Sequence, residues 1–261
     1  MRFLSVQRHW QVGTLLASAG ALYALPAAAG IPVVTRRITS GQPAGDATAI
    51  RLTFDDGPHP DGTAAVLDLL GEFGASATFF VVAEQVIRYP DLCRCMVAAG
   101  HEVALHGWDH RCLLRVGPAA TVRQIARGAE VVADVTGQRP TRYRPPYGVF
   151  SLPAMVACRR VGLTPTWWTA WGRDWSRHAT ARSVLALVGR GVAARSPATV
   201  LLHDSDCYGT PGSWRTTVAA TRLLLREWAD AGRAVTALRD AGPPRLEPAA
   251  AGRLANGLPI R

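Results

Sequence analysis

The feature that most constrains this chain is an alternation of short β-prone runs with apolar helical patterns through most of residues 49–238. Residues 49–54 form a β-prone run that ends in the turn Asp55-Asp56-Gly57-Pro58. Positions 63–73 follow with Val66, Leu67, Leu69, Leu70 and Phe73 at helical spacing, and Gly74 stops them. Residues 77–82, continuous and rich in Phe and Val, read as a buried strand. The unit then recurs. A helix over 84–99, broken at Pro90, leads to a strand at 102–105; a helix at 119–135 leads to a strand at 143–144. A helix at 151–161 precedes a strand at 164–169, and one at 184–192 precedes a strand at 198–202. A helix at 216–231 and a last strand at 234–238 close the series. The class is α/β: strands separated by helices favour a parallel sheet, and about seven are enough to close a barrel.

The residues able to do chemistry recur at the C-terminal ends of these strands: Asp55, Asp56, His106, Arg144, Asp174 and His203. A parallel α/β barrel gathers its active site at that end. No period of 20–50 residues repeats, so a solenoid or propeller is excluded, and one catalytic domain over 49–240 is the economical division. Residues 241–261 read as a C-terminal tail.

The net charge of +10 comes from arginine alone, since the 261 residues include no lysine. The arginines are scattered rather than massed, and no nucleic-acid-binding module is recognisable, so nucleic acid is not an expected partner. At the N-terminus Arg2 and Arg8 precede an apolar segment over 12–25, followed by Pro26 and the small residues Ala27-Ala28-Ala29-Gly30. This is the pattern of a secretory signal peptide. The uncharged stretch from Trp10 to Thr35 is also long enough for an uncleaved membrane anchor. Residues 1–29 are therefore expected to be a signal peptide or anchor and 30–48 a linker. Either way the domain lies outside the cytoplasmic membrane, secreted or anchored. It is expected to be a monomer.

Five cysteines are an odd number for an exported protein, and no C-x-x-C pair is present. Cys112 and Cys207 fall on loops leaving the same face of the barrel, so a disulfide would tie two active-site loops. Two unrelated free thiols are the plainer alternative.

His106 and His110, four residues apart, would project the same way on one helical turn and could grip one metal ion. Alone this spacing is weak, because a histidine at a strand end is often structural. Asp55-Asp56 is also ambiguous, since Asp-Asp-Gly-Pro is good turn chemistry. Together they supply two histidines and a carboxylate, the ligand count of a catalytic zinc with an open position.

Five motifs occur in order: Thr53-Phe54-Asp55-Asp56-Gly57-Pro58, His106-x-x-x-His110, Arg144-Pro145-Pro146-Tyr147, Asp174-Trp175 and Leu201-Leu202-His203. In these the chain resembles the polysaccharide deacetylase family, also known as the NodB-homology or carbohydrate esterase family 4 fold. The resemblance covers about residues 49–240. It implies a distorted parallel (β/α) barrel of about seven strands and metal-assisted removal of acetyl groups from chitin oligomers, peptidoglycan or related glycans. It implies that Asp56, His106 and His110 bind zinc, or another divalent transition metal such as cobalt. Asp55 would be the general base held by Arg144, and His203 the general acid oriented by Asp174. Tyr147 would lend its backbone N–H to an oxyanion hole on a loop stiffened by Pro145, with Trp175 and Leu201 lining the acetate pocket.

Elementary chemistry agrees. A metal ion acidifies water and polarises a carbonyl, a nearby carboxylate can take a proton and an imidazole can return one to the departing amine. The sequence departs from the family pattern twice. Gly107 follows His106 where Ser or Thr is usual, and Trp171 stands where an Asp usually precedes the Asp-Trp pair by three. These departures bear on substrate preference more than on activity.

Other residues have plainer readings. Trp167 and Trp168 suit core packing at least as well as sugar stacking, whereas Trp108 and Trp214 sit in loops where glycan contact is open. His59, His101 and His178 read as ordinary surface or core residues, and Asp109 as a loop hydrogen-bonder. Asp204 and Asp206 receive no role. An amidase of the same fold, or a metal-containing glycan-binding module without catalysis, remain as alternative functions.

Overall fold

The computed structural model describes residues 48–241, together with Gly20 and residues 23–25. The expected export segment, the linker up to residue 47 and the tail beyond 241 otherwise lie outside the described residues. Among the described residues no helix is long and apolar enough to cross a membrane.

Eight parallel strands form one curled sheet: β1 (Ile50–Asp55), β2 (Thr78–Val81), β3 (Glu102–Leu105), β4 (Arg142–Tyr143), β5 (Thr164–Pro165), β6 (Ala170–Trp171), β7 (Ala198–His203) and β8 (Val235–Thr236). Their spatial order is β5-β4-β3-β2-β1-β7-β6, with β8 paired to β1. Strand β1 is central. It pairs with β7 over all six residues on one side. Its other side is shared, Ile50 and Arg51 pairing with β8 and Thr53 to Asp55 with β2.

Among the described residues seven α-helices surround the sheet: α1 (Gly62–Glu72), α2 (Ala83–Arg88), α3 (Pro90–Ala98), α4 (Pro118–Thr136), α5 (Leu152–Val161), α6 (Ala181–Ala193) and α7 (Ser213–Asp230). The expected break at Pro90 separates α2 from α3; proline fits the first turn of a helix, where its missing N–H has no role. Alternate strand residues face these helices, and Ile50, Leu52, Phe54, Phe79, Leu105, Val200 and Leu202 join one buried cluster with helical side chains such as Val66, Leu70, Ile125 and Leu224. Each such side chain contributes about 1.5–3 kcal/mol by leaving water.

The inside of the curl is mostly polar. At the N-terminal end of the strands, buried Glu102 accepts from Thr78 Oγ1 (2.7 Å), Arg142 Nε (3.2 Å) and the Arg239 backbone N–H (2.9 Å). Arg142 in turn donates to Leu238 O. This network seats the segment after β8 as a plug.

The strand expected at 164–169 is cut short: β5 covers only Thr164–Pro165, and β6 begins at Ala170 after a crossing. Thr166 N–H still bonds Tyr143 O beside β5, whereas Thr169 N–H bonds Thr199 O on β7 (both 2.9 Å). The chain thus passes from one edge of the open sheet to the other, so the barrel is closed here by covalent backbone rather than by a β5–β6 ladder. This crossing is where the barrel is distorted. Cys112 and Cys207 are both free thiols, as are Cys93, Cys95 and Cys158.

Candidate active site

The C-terminal ends of the strands converge on a pocket of about 210 Å³. Asp55, Asp56, His106, His110 and His203 line it together with Tyr147, Trp175 and Leu201. Arg144 and Asp174 stand behind its wall, each with no exposed surface, and Pro145 is buried in the loop leading to Tyr147. All the residues to which the resemblance assigns catalytic, metal-binding or substrate-binding roles therefore meet at one site.

Asp55 ends β1 and Asp56 turns the chain, with φ 80°, a left-handed conformation that is uncommon for a residue with a side chain. The turn sends the two adjacent carboxylates to different partners. Asp55 Oδ1 accepts from Arg144 Nη1 at 2.6 Å. The same guanidinium bonds Thr53 Oγ1 (2.9 Å) and Trp167 O (3.2 Å) and lies 3.9 Å over the Phe80 ring. Burial lowers the Arg144 pKa, and the Asp55 charge opposes that shift.

Asp56 Oδ1 faces both histidines instead, 3.3 Å from His106 Nε2 and 3.2 Å from His110 Nε2. His106 Nδ1 is 2.8 Å from the Arg144 carbonyl, which can only accept, so Nδ1 carries a proton. Burial disfavours the Asp56 anion, but the histidines outweigh it and hold its pKa far below the usual carboxylate range. Even so, Asp56 Oδ1 is buried without a hydrogen-bond partner. A buried carboxylate oxygen and two imidazole nitrogens with their ligand atoms all within 4.8 Å are the donor set a divalent transition metal takes. Asp56, His106 and His110 could therefore hold such an ion.

The histidine spacing works without the helical turn that was expected. Residues 106–110 are a bent loop, and Gly107 sits at φ 107°, which glycine reaches without steric cost. The Ser or Thr usual at this position would be strained. His110 differs from His106 in having no hydrogen-bond partner on its buried Nδ1. Aromatic contacts orient its ring: Tyr208 stacks on it at 4.2 Å and 11°, and Tyr147 meets it edge-on at 4.7 Å. Tyr147, at φ 61°, is a second left-handed residue with a side chain.

His203 ends β7. Its Nδ1 lies 3.0 Å from Asp174 Oδ1, while Asp174 Oδ2 accepts from the His203 backbone N–H and from Thr217 Oγ1, both at 2.7 Å. Burial disfavours the imidazolium, but Asp174, Asp56 and Asp55 outweigh it and push the His203 pKa up to about 10. The Trp175 ring stands edge-on to His203 at 5.0 Å.

Sequence reasoning missed Gly148 and Tyr208, and left Trp168 open between core and sugar contact; all three also line the pocket. Gly148 gives Trp168 room, since a Cβ there would lie 2.6 Å from its ring. Tyr208 follows His203 by five residues on the same loop, the one signal that could have pointed to it. The four clustered tryptophans divide: Trp167 joins the core, whereas Trp168, Trp171 and Trp175 face the pocket. Trp108 packs under Arg127 (4.1 Å) and Trp214 under Arg215 (4.3 Å). Asp109 bonds Arg111, as a loop hydrogen-bonder should. Buried His101 accepts from the Ala77 N–H, and burial lowers its pKa to about 4, which keeps it neutral.

Asp204 has a clear structural place. Its carboxylate accepts from Thr63 Oγ1 and presses on Gly57, where a Cβ would lie 2.4 Å from Oδ2. Burial, with the nearby Asp56 and Asp55 charges adding to it, raises its pKa to about 7 from 3.8. A raised acid stabilises the fold at pH below 3.8 and loses that contribution as pH rises through about 7. Asp204→Asn should therefore raise the melting temperature of metal-free protein above pH 7, with little change near pH 4. An equal effect at both ends would refute the buried-charge account.

With this geometry in hand, similarity to known proteins is decisive. The family model "Polysaccharide deacetylase" matches residues 43–166. A chitooligosaccharide deacetylase from Bradyrhizobium is 36% identical over 192 residues, which cover 73% of this chain and 84% of that one. The chain belongs to the polysaccharide deacetylase family. Among other polysaccharide deacetylases, a peptidoglycan-N-acetylglucosamine deacetylase of Listeria monocytogenes is 35% identical over 69% of this chain but only 36% of its own length. A family 4 acetyl xylan esterase from Clostridium thermocellum, solved with a cobalt ion, superposes with a TM-score of 0.65 at 29% identity. That match covers 74% of this chain and 89% of the esterase. The parallel curled sheet is the fold this polysaccharide deacetylase shares with that esterase.

Proposed function

We propose that the protein is a metal-dependent deacetylase that hydrolyses N-acetyl groups of amino-sugar polysaccharides or oligosaccharides, with chitin oligomers and peptidoglycan as the candidate glycans. The observation that carries the reading is one pocket holding a three-residue donor set beside two separately clamped proton-transfer groups, Asp55 on Arg144 and His203 on Asp174. The named activities of the Bradyrhizobium and Listeria relatives support it.

Asp56, His106 and His110 would hold the ion, zinc or another divalent metal such as cobalt. When bound, it supplies the Lewis acidity that polarises the acetyl carbonyl and acidifies water. Asp55 takes the proton from the attacking water, and the Arg144 hydrogen bond holds it in place. His203, held charged by Asp174, returns a proton to the departing sugar amine. The Tyr147 backbone N–H faces the developing oxyanion, on a loop that Pro145 and Pro146 stiffen. Trp175 and Leu201 hold the acetyl methyl. An export segment at the N-terminus would put the protein, as a monomer, outside the cytoplasmic membrane, secreted or anchored.

The test is acetate release by purified protein from chitooligosaccharides and from peptidoglycan, before and after chelation, with metal analysis. Acetate from at least one glycan, lost on chelation and restored by zinc or cobalt, is the expected result. No acetate from either, or turnover indifferent to metal removal, overturns the proposal.

A further inference from the structure

Three indoles line the catalytic pocket in series. Trp175 stands edge-on to His203, Trp171 follows at 5.2 Å from Trp175, and Trp168 lies 6.0 Å from Trp171. Both Trp–Trp pairs are inclined by 37°, so the rings fan out. None belongs to the hydrophobic core that holds their neighbour Trp167. Trp171 is 42% exposed although indole is among the costliest side chains to leave in water. The strand carrying it is anchored from below: Gly172 is buried against Val184 and Leu202, and Gly191 of α6 packs against Ala170. The exposure of Trp171 is thus built into a rigid element.

Resting on the deacetylase reading, we propose that Trp171 forms a stacking subsite for the sugar next to the one being deacetylated. The enzyme then selects β-linked amino-sugar chains over single sugars. An indole face is apolar and electron-rich, and complements the axial C–H face of a pyranose with equatorial substituents. Hydroxyl-lined subsites would bind the rim of a ring by hydrogen bonds, whereas the exposed Trp171 indole offers an apolar face. The same position is one of the two at which the sequence departs from the family pattern, carrying an indole where a carboxylate is usual. Linear chains with two free ring faces suit this fan better than a sugar crowded on one face by a bulky substituent.

The experiment uses the full-length protein with N-acetylglucosamine and its β-1,4 dimer and tetramer, and a muropeptide tetrasaccharide as a separate arm. Two readouts are taken: kcat/KM for acetate release, and binding followed by tryptophan fluorescence. The ratio of tetramer to monosaccharide kcat/KM should fall about tenfold in Trp171→Ala, or 1.4 kcal/mol of discrimination. Trp171→Tyr should restore most of it. Fluorescence titration should show the same loss of tetramer affinity. A ratio and a tetramer affinity within twofold of wild type in Trp171→Ala would overturn the subsite. A ratio unchanged while both substrates weaken together would also overturn it, as a fold defect. Wild-type protein that binds the tetramer through Trp171 yet releases no acetate would sink the deacetylase reading and leave the subsite standing. A muropeptide arm that loses the preference equally assigns the subsite to the shared sugar backbone, and one that never shows it restricts the subsite to unsubstituted chains.

Discussion

Asp55→Asn should reduce turnover by about 10²–10⁴-fold, the range for losing a general base, with the metal content of the purified protein unchanged. Asp56→Ala and His106→Ala should instead lose metal, by more than the roughly 10–100-fold that removing a mere outer partner costs. The division follows from the turn at φ 80°, which gives one carboxylate to Arg144 and the other to two imidazoles. Asp55→Asn also strips the buried Arg144 of its counter-charge, and breaking a buried pair costs about 3–5 kcal/mol. Thermal unfolding must therefore accompany the kinetics, and turnover must be read at a temperature where the variant is folded. Equal metal loss in Asp55→Asn and Asp56→Ala would show that the two carboxylates share one role.

His203→Ala carries the second large effect. Removing the proton donor should cost about 10²–10⁴ in rate, and the rate that remains should lose most of its basic limb. Asp174→Asn probes the same group more finely. It leaves the ring in place but removes the charge that does most to hold His203 at about 10. The basic limb of kcat/KM should then move to lower pH. The stability arithmetic runs in the same direction. In metal-free protein the His203–Asp174 pair contributes fully below pH 6.5 and is lost as pH rises through about 10, so Asp174→Asn should flatten that decline. A basic limb unmoved in Asp174→Asn would detach His203 from proton transfer.

Much of this site was legible because its chemistry sits at the ends of strands that periodicity already marks. Glu102 to Leu105 is a continuous buried run leading into His106, and its bounds read correctly from sequence. The strand at 164–169 did not, because sequence period is blind to which neighbour a backbone N–H finds; Thr166 and Thr169 bond opposite edges of the sheet. The His106–His110 pair was readable as a ligand set but not as a loop, since glycine at φ 107° replaces the helical turn the spacing invited. Tyr208 escaped because its role depends on stacking against a residue 98 positions earlier in the chain. The tryptophans could be seen but not sorted: Trp167 and Trp168 are adjacent and identical in type, and only the crossing between sheet edges turns one inward and the other to the cleft.

That crossing also settles what the open sheet shows to other molecules. Its two outermost strands, β5 and β6, are two residues each, and β5 contains Pro165, which has no N–H to give. A foreign strand seeking to extend the sheet would find only a few unpaired backbone groups, broken by proline, before the edge ends. Short strands and edge prolines are the devices by which β proteins resist edge-to-edge aggregation. The same distortion that leaves the barrel unlaced between β5 and β6 thus keeps it from being laced to another copy of itself.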